Sequence, residues 1–464
     1  MHPTTNRPAS GSLRRVLGRW GTAAVSIGVM APTLAMAIVG PEPARLVGRA
    51  APLAFAAAGL LVLLVSAGFV RLSSEFAHAG SVYGFVGGAV GPRAGAFTGW
   101  TMLGTYLVFP WVSVAGVTVF GEELLRLAGW HFGWYVVALG GWLLVGLLGA
   151  GGLRPAVRAL IGFEIAAVLL ILGLMVAIVV AILGGHAPRG QILSAEVLAL
   201  PDGLPPGAVV LAATAAFLAY CGFEAAGSLG EEAWAPRRDV PQAMLTTIAL
   251  GAVFYVACVT VQVWGFGVDA PGVAAFAASS APLGNLALAY SGPALAIALH
   301  VAALVSAVGA GLGCVLVAVR MMFALGRDGL LPAALARVSS RTGAPSVALS
   351  VELAVGLAVI TAFRLAGAAP GQMFFVLATI GVLHLLLMYA ITNLAAVRHL
   401  PRAGGQHWTL IAPAVGALVA AAVLAQTLTT VPSAVRWAVL GWVALGAVPV
   451  WRAARSRQMI LSEA

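Results

Sequence analysis

Long apolar runs separated by short polar breaks fill the chain. Twelve such runs lie at roughly 21–40, 51–71, 94–120, 132–150, 158–184, 208–230, 241–267, 292–322, 346–364, 372–396, 409–428 and 434–451. Each is near the ~20 residues that a helix needs to cross a bilayer. The pattern predicts an all-α polytopic membrane protein with twelve transmembrane helices, an N-terminal tail over 1–20 and a C-terminal tail over 452–464.

Two of the runs are interrupted. The stretch FLAYCGFEAAGSLGEEAWAPRRDVPQ, residues 217–242, starts as an apolar helix and then places Gly222, Glu224 and Gly227 inside it. It closes on an acidic pair, a basic pair and two prolines. A carboxylate in hydrocarbon is expensive, so Glu224 reads as a functional group facing protein or water. Glycines on both sides weaken the helix where backbone groups can be freed for a ligand. The first run, GTAAVSIGVMAPTLAMAIVG, carries Ser26 and Gly28 near its middle and Pro32 just beyond. A helix that stops near Ile27 and restarts near Ala31 fits, because proline suits the first turn of a helix. A simple proline kink is the plainer alternative. A true break leaves N–H groups and the positive dipole end at the start of the outer half, which suits a carboxylate.

Composition agrees: 61% of residues are hydrophobic and 9% charged. The net charge of +10 does not point to nucleic acid. All 25 basic residues are arginine, and only Arg45, Arg49, Arg126, Arg189, Arg364 and Arg436 fall on the side assigned as outer. That asymmetry predicts cytoplasmic N- and C-termini; the expected location is a bacterial inner (plasma) membrane. The lack of lysine excludes a Schiff base or a built-in ammonium. Ser12-Leu13-Arg14-Arg15 imitates a twin-arginine signal and Ala35-Met36-Ala37 a cleavage site, but the spans that follow make residues 21–39 a retained first helix. Cys221, Cys258 and Cys314 are expected as free buried thiols.

After the second run comes a cytoplasmic loop too polar and glycine-rich to continue the helix, with Glu75, Phe76, Ala79, Gly80, Ser81, Val82, Tyr83, Gly91, Pro92 and Arg93, and Trp100 opens span three. In span six stand Phe217, Tyr220, Gly222, Phe223, Glu224, Glu231, Glu232, Pro236, Arg237, Arg238, Asp239, Val240 and Pro241. Span eight ends RMMFALGRDGLLP (320–332) and span ten ends YAITNLAAVRH (389–399). In order and spacing these stretches resemble the amino acid–polyamine–organocation superfamily of permeases, over spans one to ten. Ala77 departs from that pattern, where the family usually has proline. The resemblance implies a LeuT-like fold of five-plus-five inverted repeats, with helices one and six broken. Repeat one would cover 21–184, repeat two 208–396, and spans eleven and twelve 409–451. The interruptions at Ser26–Pro32 and Tyr220–Gly227 agree independently, each in the first helix of its repeat.

Chain direction then assigns roles. The amides of Val29, Met30 and Ala31 are expected to meet a substrate carboxylate, and the carbonyls of Phe217, Ala219 and Tyr220 its ammonium. Ser26, Ile27, Gly28, Cys221, Gly222 and Tyr106 complete the expected pocket, with Tyr220 or Phe217 as a gate. Glu224 is the first candidate for proton coupling, since a buried carboxyl can exchange a proton as access alternates. Glu164, roughly 9 Å past Arg158 along span five, is the second; a helix-end acid neutralised by an arginine is the alternative. Glu231, Glu232, Arg237 and Arg238 form either a cytoplasmic gate or a solvated polar turn. Some relatives carry a lysine later in span five, where Ile165–Leu169 is apolar here, and a glycine–polar–glycine triplet in span one, where this chain has only Gly28. His300 and His384 read as hydrogen-bonded structure. Ser306 is the only hydroxyl in the middle of span eight, which disfavours sodium.

The expected function is a secondary active transporter importing a neutral or hydrophobic amino acid, coupled to protons, by alternating access. An amine or polyamine permease, an exchanger and a non-transporting amino acid sensor are the alternatives. A major-facilitator transporter lacks its signature here, and no nucleophile–base pair, metal cluster, phosphate loop or ion filter points to an enzyme or a channel. The expected partners are a small-molecule substrate and the lipid bilayer, with no cofactor, no metal, no nucleic acid and no obligate protein partner.

Overall fold

The structure is a computed structural model that describes residues 17–76, 78, 80–150, 153–205, 207–230, 232–339, 344–401 and 407–455. Among these residues all regular structure is helical; only isolated bridges, Leu17 with Ala233 and Val338 with Pro345, have extended pairing. Eleven of the expected runs form helices long and apolar enough to cross a membrane. The fourth, Trp134–Ala150, is a shorter apolar helix of 17 residues.

Span one comprises Arg19–Met30 and Pro32–Ile38, and span two is Ala51–Glu75. Spans three to five are Pro92–Leu127, Trp134–Ala150 and Leu153–Leu183. Span six is Gly207–Ala216 followed by two 3₁₀ pieces, Phe217–Tyr220 and Phe223–Leu229. Spans seven to ten are Pro236–Phe266, Pro293–Arg327, Ser346–Leu365 and Pro370–His399. Span eleven is Ile411–Thr430, and span twelve is Ser433–Leu445 with Ala447–Arg455. Several starts are set by proline in the first turn, where no N–H is needed: Pro92 and Pro293 each follow a glycine at positive φ, Gly91 (112°) and Gly292 (88°). Span seven begins at Pro236, five residues before expected, because the Asp239 carboxylate accepts the Ala235 N–H at 3.1 Å and the start winds there.

The glycine-rich stretch after span two was expected as a loop. Residues Val82–Val90 are instead a short helix whose first two turns are buried against span three. Its glycines serve close packing: a Cβ on Gly95 of span three would come within 2.7 Å of the Gly87 Cα. Further short helices, Pro41–Val47, Ala270–Ala278 and Pro282–Ser291, cover the loops after spans one and seven.

Centre and rim separate by burial. In span three 89% of the most apolar window is inside the protein, against 28% in span five, so span three is the central post and span five a wall. Span three packs along spans eight and ten. Span five turns Phe163, Ile165, Leu169, Val176 and Val180 outward, a stripe suited to hydrocarbon and not to water.

Two side-chain devices lock neighbouring helices. Trp100 of span three and Trp442 of span twelve stack at 4.2 Å and exchange indole-to-carbonyl hydrogen bonds of 2.7 and 3.1 Å. Asn393 of span ten accepts the Gly68 N–H (3.0 Å) of span two and donates to the carbonyls of Val65 (2.7 Å) and Tyr389 (2.9 Å). Gly416 of span eleven passes so close that a Cβ would lie 2.4 Å from the Leu64 carbonyl oxygen.

Candidate functional site: two helix breaks and a buried carboxyl

Span one is broken, but later and more tightly than expected. Its first helix runs to Met30, and a single left-handed residue, Ala31 (φ 46°), precedes Pro32. A non-glycine residue there costs about 1–3 kcal/mol, so the surroundings must hold it. The hydrogen-bond ladder nearly survives: Ala31 N–H donates to Ile27 and Ala35 N–H to Ala31. The amides of Val29, Met30 and Ala31 therefore belong to the first helix and its cap. The N–H groups released are those of Thr33 and Leu34, because Pro32 has none. Thr33 N–H donates to Glu164 Oε1 at 3.0 Å and Leu34 N–H to the Ser306 hydroxyl at 3.3 Å. Glu164 thus caps the Pro32–Ile38 half-helix from span five, where the positive dipole end favours it. The side chain of Arg158 lies outside the described residues.

Span six is unwound at Cys221 and Gly222, the latter at φ 118°. A Cβ on Gly222 would sit 2.8 Å from Val29 Cγ1 and 2.9 Å from the Met30 nitrogen, so the two breaks touch. Ser26 joins them: its hydroxyl donates to the Phe223 carbonyl (3.1 Å) and accepts the Ala226 N–H (2.9 Å). Cys221 N–H and Sγ turn back to the carbonyls of Leu218 and Phe217. Tyr220 leaves the break altogether. Its hydroxyl donates to the Phe55 carbonyl of span two at 2.8 Å, and its ring meets Tyr255 edge-on at 5.0 Å.

A cavity of about 60 Å³ lies at the junction, room for about two waters. Val29, Met30, Ala31 and Leu34 line it from span one, and Leu218 and Cys221 from span six. Phe109 and Ser113, Ala310 and Cys314, and Phe374 come from spans three, eight and ten. Its walls are apolar apart from one hydroxyl and two thiols, and no acid lines it. The three cysteines are free and buried, as expected.

Glu224 is fully buried in the second half of span six. Tyr106 of span three donates to its Oε1 and Tyr389 of span ten to its Oε2, both at 2.8 Å, and Gly222 N–H reaches Oε2 at 3.2 Å. Tyr106, expected to line the pocket, is therefore a ligand of this carboxyl. Tyr389 stood only inside a quoted stretch, and nothing in one sequence pairs it with Glu224. Phe69 and Phe223 pack on the Tyr389 ring at 5.3 and 5.5 Å.

A third membrane acid went unread. Glu352, six residues past the start of span nine, is fully buried. Trp111 is its polar neighbour, yet neither that indole nitrogen nor either carboxyl oxygen closes a hydrogen bond among the described residues. An acid inside the run SVELAVGL was signal enough to find it.

The arginine-rich end carries several cross-links between elements. Glu232 pairs with Arg320 of span eight at 2.9 Å, while Arg237 and Arg238 are exposed and Glu231 lies outside the described residues. Tyr83 donates to Asp328 at 2.7 Å. Burial first, and Asp328 second, push the Tyr83 hydroxyl up, so it stays a donor. Glu75 meets His399 at 2.6 Å, and Leu17 bonds backbone to backbone with Glu232 and Trp234. His300 bonds the Ala296 carbonyl at 2.7 Å, a structural contact.

Residues 24–409 match the model of a family described as amino acid permease. Among curated proteins, the low-affinity putrescine importer of Escherichia coli K12 is 24% identical over 61% of this chain and 60% of its own length. The chain thus spans less than two thirds of that relative. The branched-chain amino acid permease of Bacillus subtilis is 26% identical over 73% of this chain and 72% of its own. An L-methionine/branched-chain amino acid exporter of E. coli K12 is 30% identical over 48% and 50%.

Proposed function

We propose that this chain, which belongs to the amino acid permease family, imports a neutral or hydrophobic amino acid by proton-coupled alternating access. The reading includes twelve spans, with spans one to five and six to ten as inverted repeats. It also places both termini in the cytoplasm of a bacterial cell. The observation that carries it is the meeting of two broken helices over an apolar cavity, with a buried, doubly tyrosine-bonded carboxyl beside them.

In this mechanism the substrate sits at the junction of Val29–Ala31 with Leu218–Cys221, and Phe109 and Phe374 flank its side chain. The small cavity and the cross-linked arginine-rich end fit a state closed on the inside. Opening must enlarge the cavity before an amino acid fits. Glu224 exchanges a proton between states. Through Gly222 N–H, its carboxyl is bonded to the hinge residue of span six, so a change in its charge acts directly on the break. Glu164, bonded to the restart of span one, is the second coupling candidate.

The relatives carry putrescine or branched-chain amino acids by their names. The lack of a carboxylate on the cavity wall favours the neutral substrate, because a cation there would stand uncompensated. The test is uptake into liposomes of purified protein. An inward proton gradient should drive accumulation of leucine or methionine and not of putrescine; substrate binding without flux would instead identify a sensor.

A further inference from the structure

Between spans one, five and seven lies a second, larger hollow of about 350 Å³, in the lower part of the ~300–1,000 Å³ range of small-molecule sites. It shares only Met30 with the central cavity and reaches none of spans three, six, eight or ten. Its mouth is formed by Ile165, Leu169 and Leu250, which are 59, 62 and 53% exposed. On spans of this hydropathy those side chains face lipid, so the hollow opens sideways into the bilayer. Glu164 and Tyr255 lie among its lining residues and are themselves nearly or fully buried. The Tyr255 hydroxyl has no hydrogen-bond partner among the described residues. A Cβ on Gly28 would meet nothing within 4 Å, so span one has a notch at this place.

An unpartnered phenol and a carboxyl inside an apolar pocket select a ligand by its head group. A fatty acid would bring a second negative charge to Glu164, and a plain alkyl chain would leave Tyr255 unsatisfied at a cost. An ammonium group supplies three donors and the opposite charge, which gains strength where water is absent. We infer that this hollow is a lipid-side binding site for an amphiphilic monoamine. Its ammonium sits between Glu164 and Tyr255, and its tail runs past Ile165, Leu169 and Leu250 into the bilayer. Because Glu164 also caps the restart of span one, an occupant holds the break in its present shape and slows transport. Binding itself does not depend on which substrate the central cavity takes.

The experiment uses the full chain in lipid nanodiscs with octylamine as probe and 1-octanol and octanoate as matched controls. Octylamine should raise the thermal midpoint saturably, and the two controls should not. Tyr255→Phe and Glu164→Gln should each weaken the apparent affinity about tenfold. Leu169→Trp, which fills the mouth and touches no other site, should abolish the shift while retaining uptake; this variant keeps the test valid if Glu164→Gln folds poorly. Equal shifts with octylamine and octanol would overturn the inference in favour of a hollow that any alkyl tail fills. An octylamine shift that survives Leu169→Trp and Tyr255→Phe would overturn it by placing the amine elsewhere.

Discussion

Glu224 and Glu352 are both fully buried acids in apolar helices, yet their surroundings differ in kind. Glu224 collects two phenols and a backbone N–H from three elements, and its helix is unwound two residues away. Glu352 sits in an unbroken helix with both oxygens unpartnered among the described residues. Hydrogen bonds to a charged group contribute about 1.5–3 kcal/mol each, so the first site can support a carboxylate that comes and goes. The second has only the Trp111 indole beside it, which closes no hydrogen bond there, and burying a charge costs several kcal/mol. Burial alone therefore does not mark a coupling residue. The coupling proposed for Glu224 rests instead on donors gathered from several helices.

That contrast can be broken or sharpened by substitution. The largest effect is expected from Glu224→Gln: gradient-driven accumulation in liposomes should fall more than tenfold while counterflow exchange continues. Unchanged pH-driven uptake would remove Glu224 from coupling. Next, Tyr389→Phe and Tyr106→Phe should each lower uptake several-fold and move its pH dependence, because each deletes one of the phenolic donors. If the two carboxyls were equivalent, Glu352→Met would be as harmful as Glu224→Gln. We expect instead uptake within about twofold and a thermal midpoint raised by a few degrees, since a volume-conserving apolar replacement removes an unsatisfied polar group. The smallest effect belongs to Glu232→Gln: its pair with Arg320 is partly exposed, so stability should change by about 1 kcal/mol or less. Uptake kinetics would show whether opening at that end becomes faster.

Much of this was legible beforehand. The apolar runs gave the helices, since length and hydropathy suffice in a bilayer, and Glu224 stood out because hydrocarbon penalises it. The break of span one was legible only to within a few residues. Pro32 announced it, but the left-handed turn fell on Ala31, a residue with no preference for that conformation. Thr33 and Leu34 could not be foreseen as the released donors, because their acceptors, Glu164 and Ser306, are 131 and 272 positions away. The Val82–Val90 helix was misread because glycine looks the same in one sequence whether it loosens a backbone or admits a neighbour.

Asn393 carries one further consequence. The amide that fastens span ten to span two grips the peptide oxygen of Tyr389 as well, a single turn away, and Gly416 leaves span eleven no clearance to slip past. Sliding of span ten along span two would break the Asn393 bonds, so the Tyr389 backbone is held in register with its neighbours, with Asn393 as the rivet.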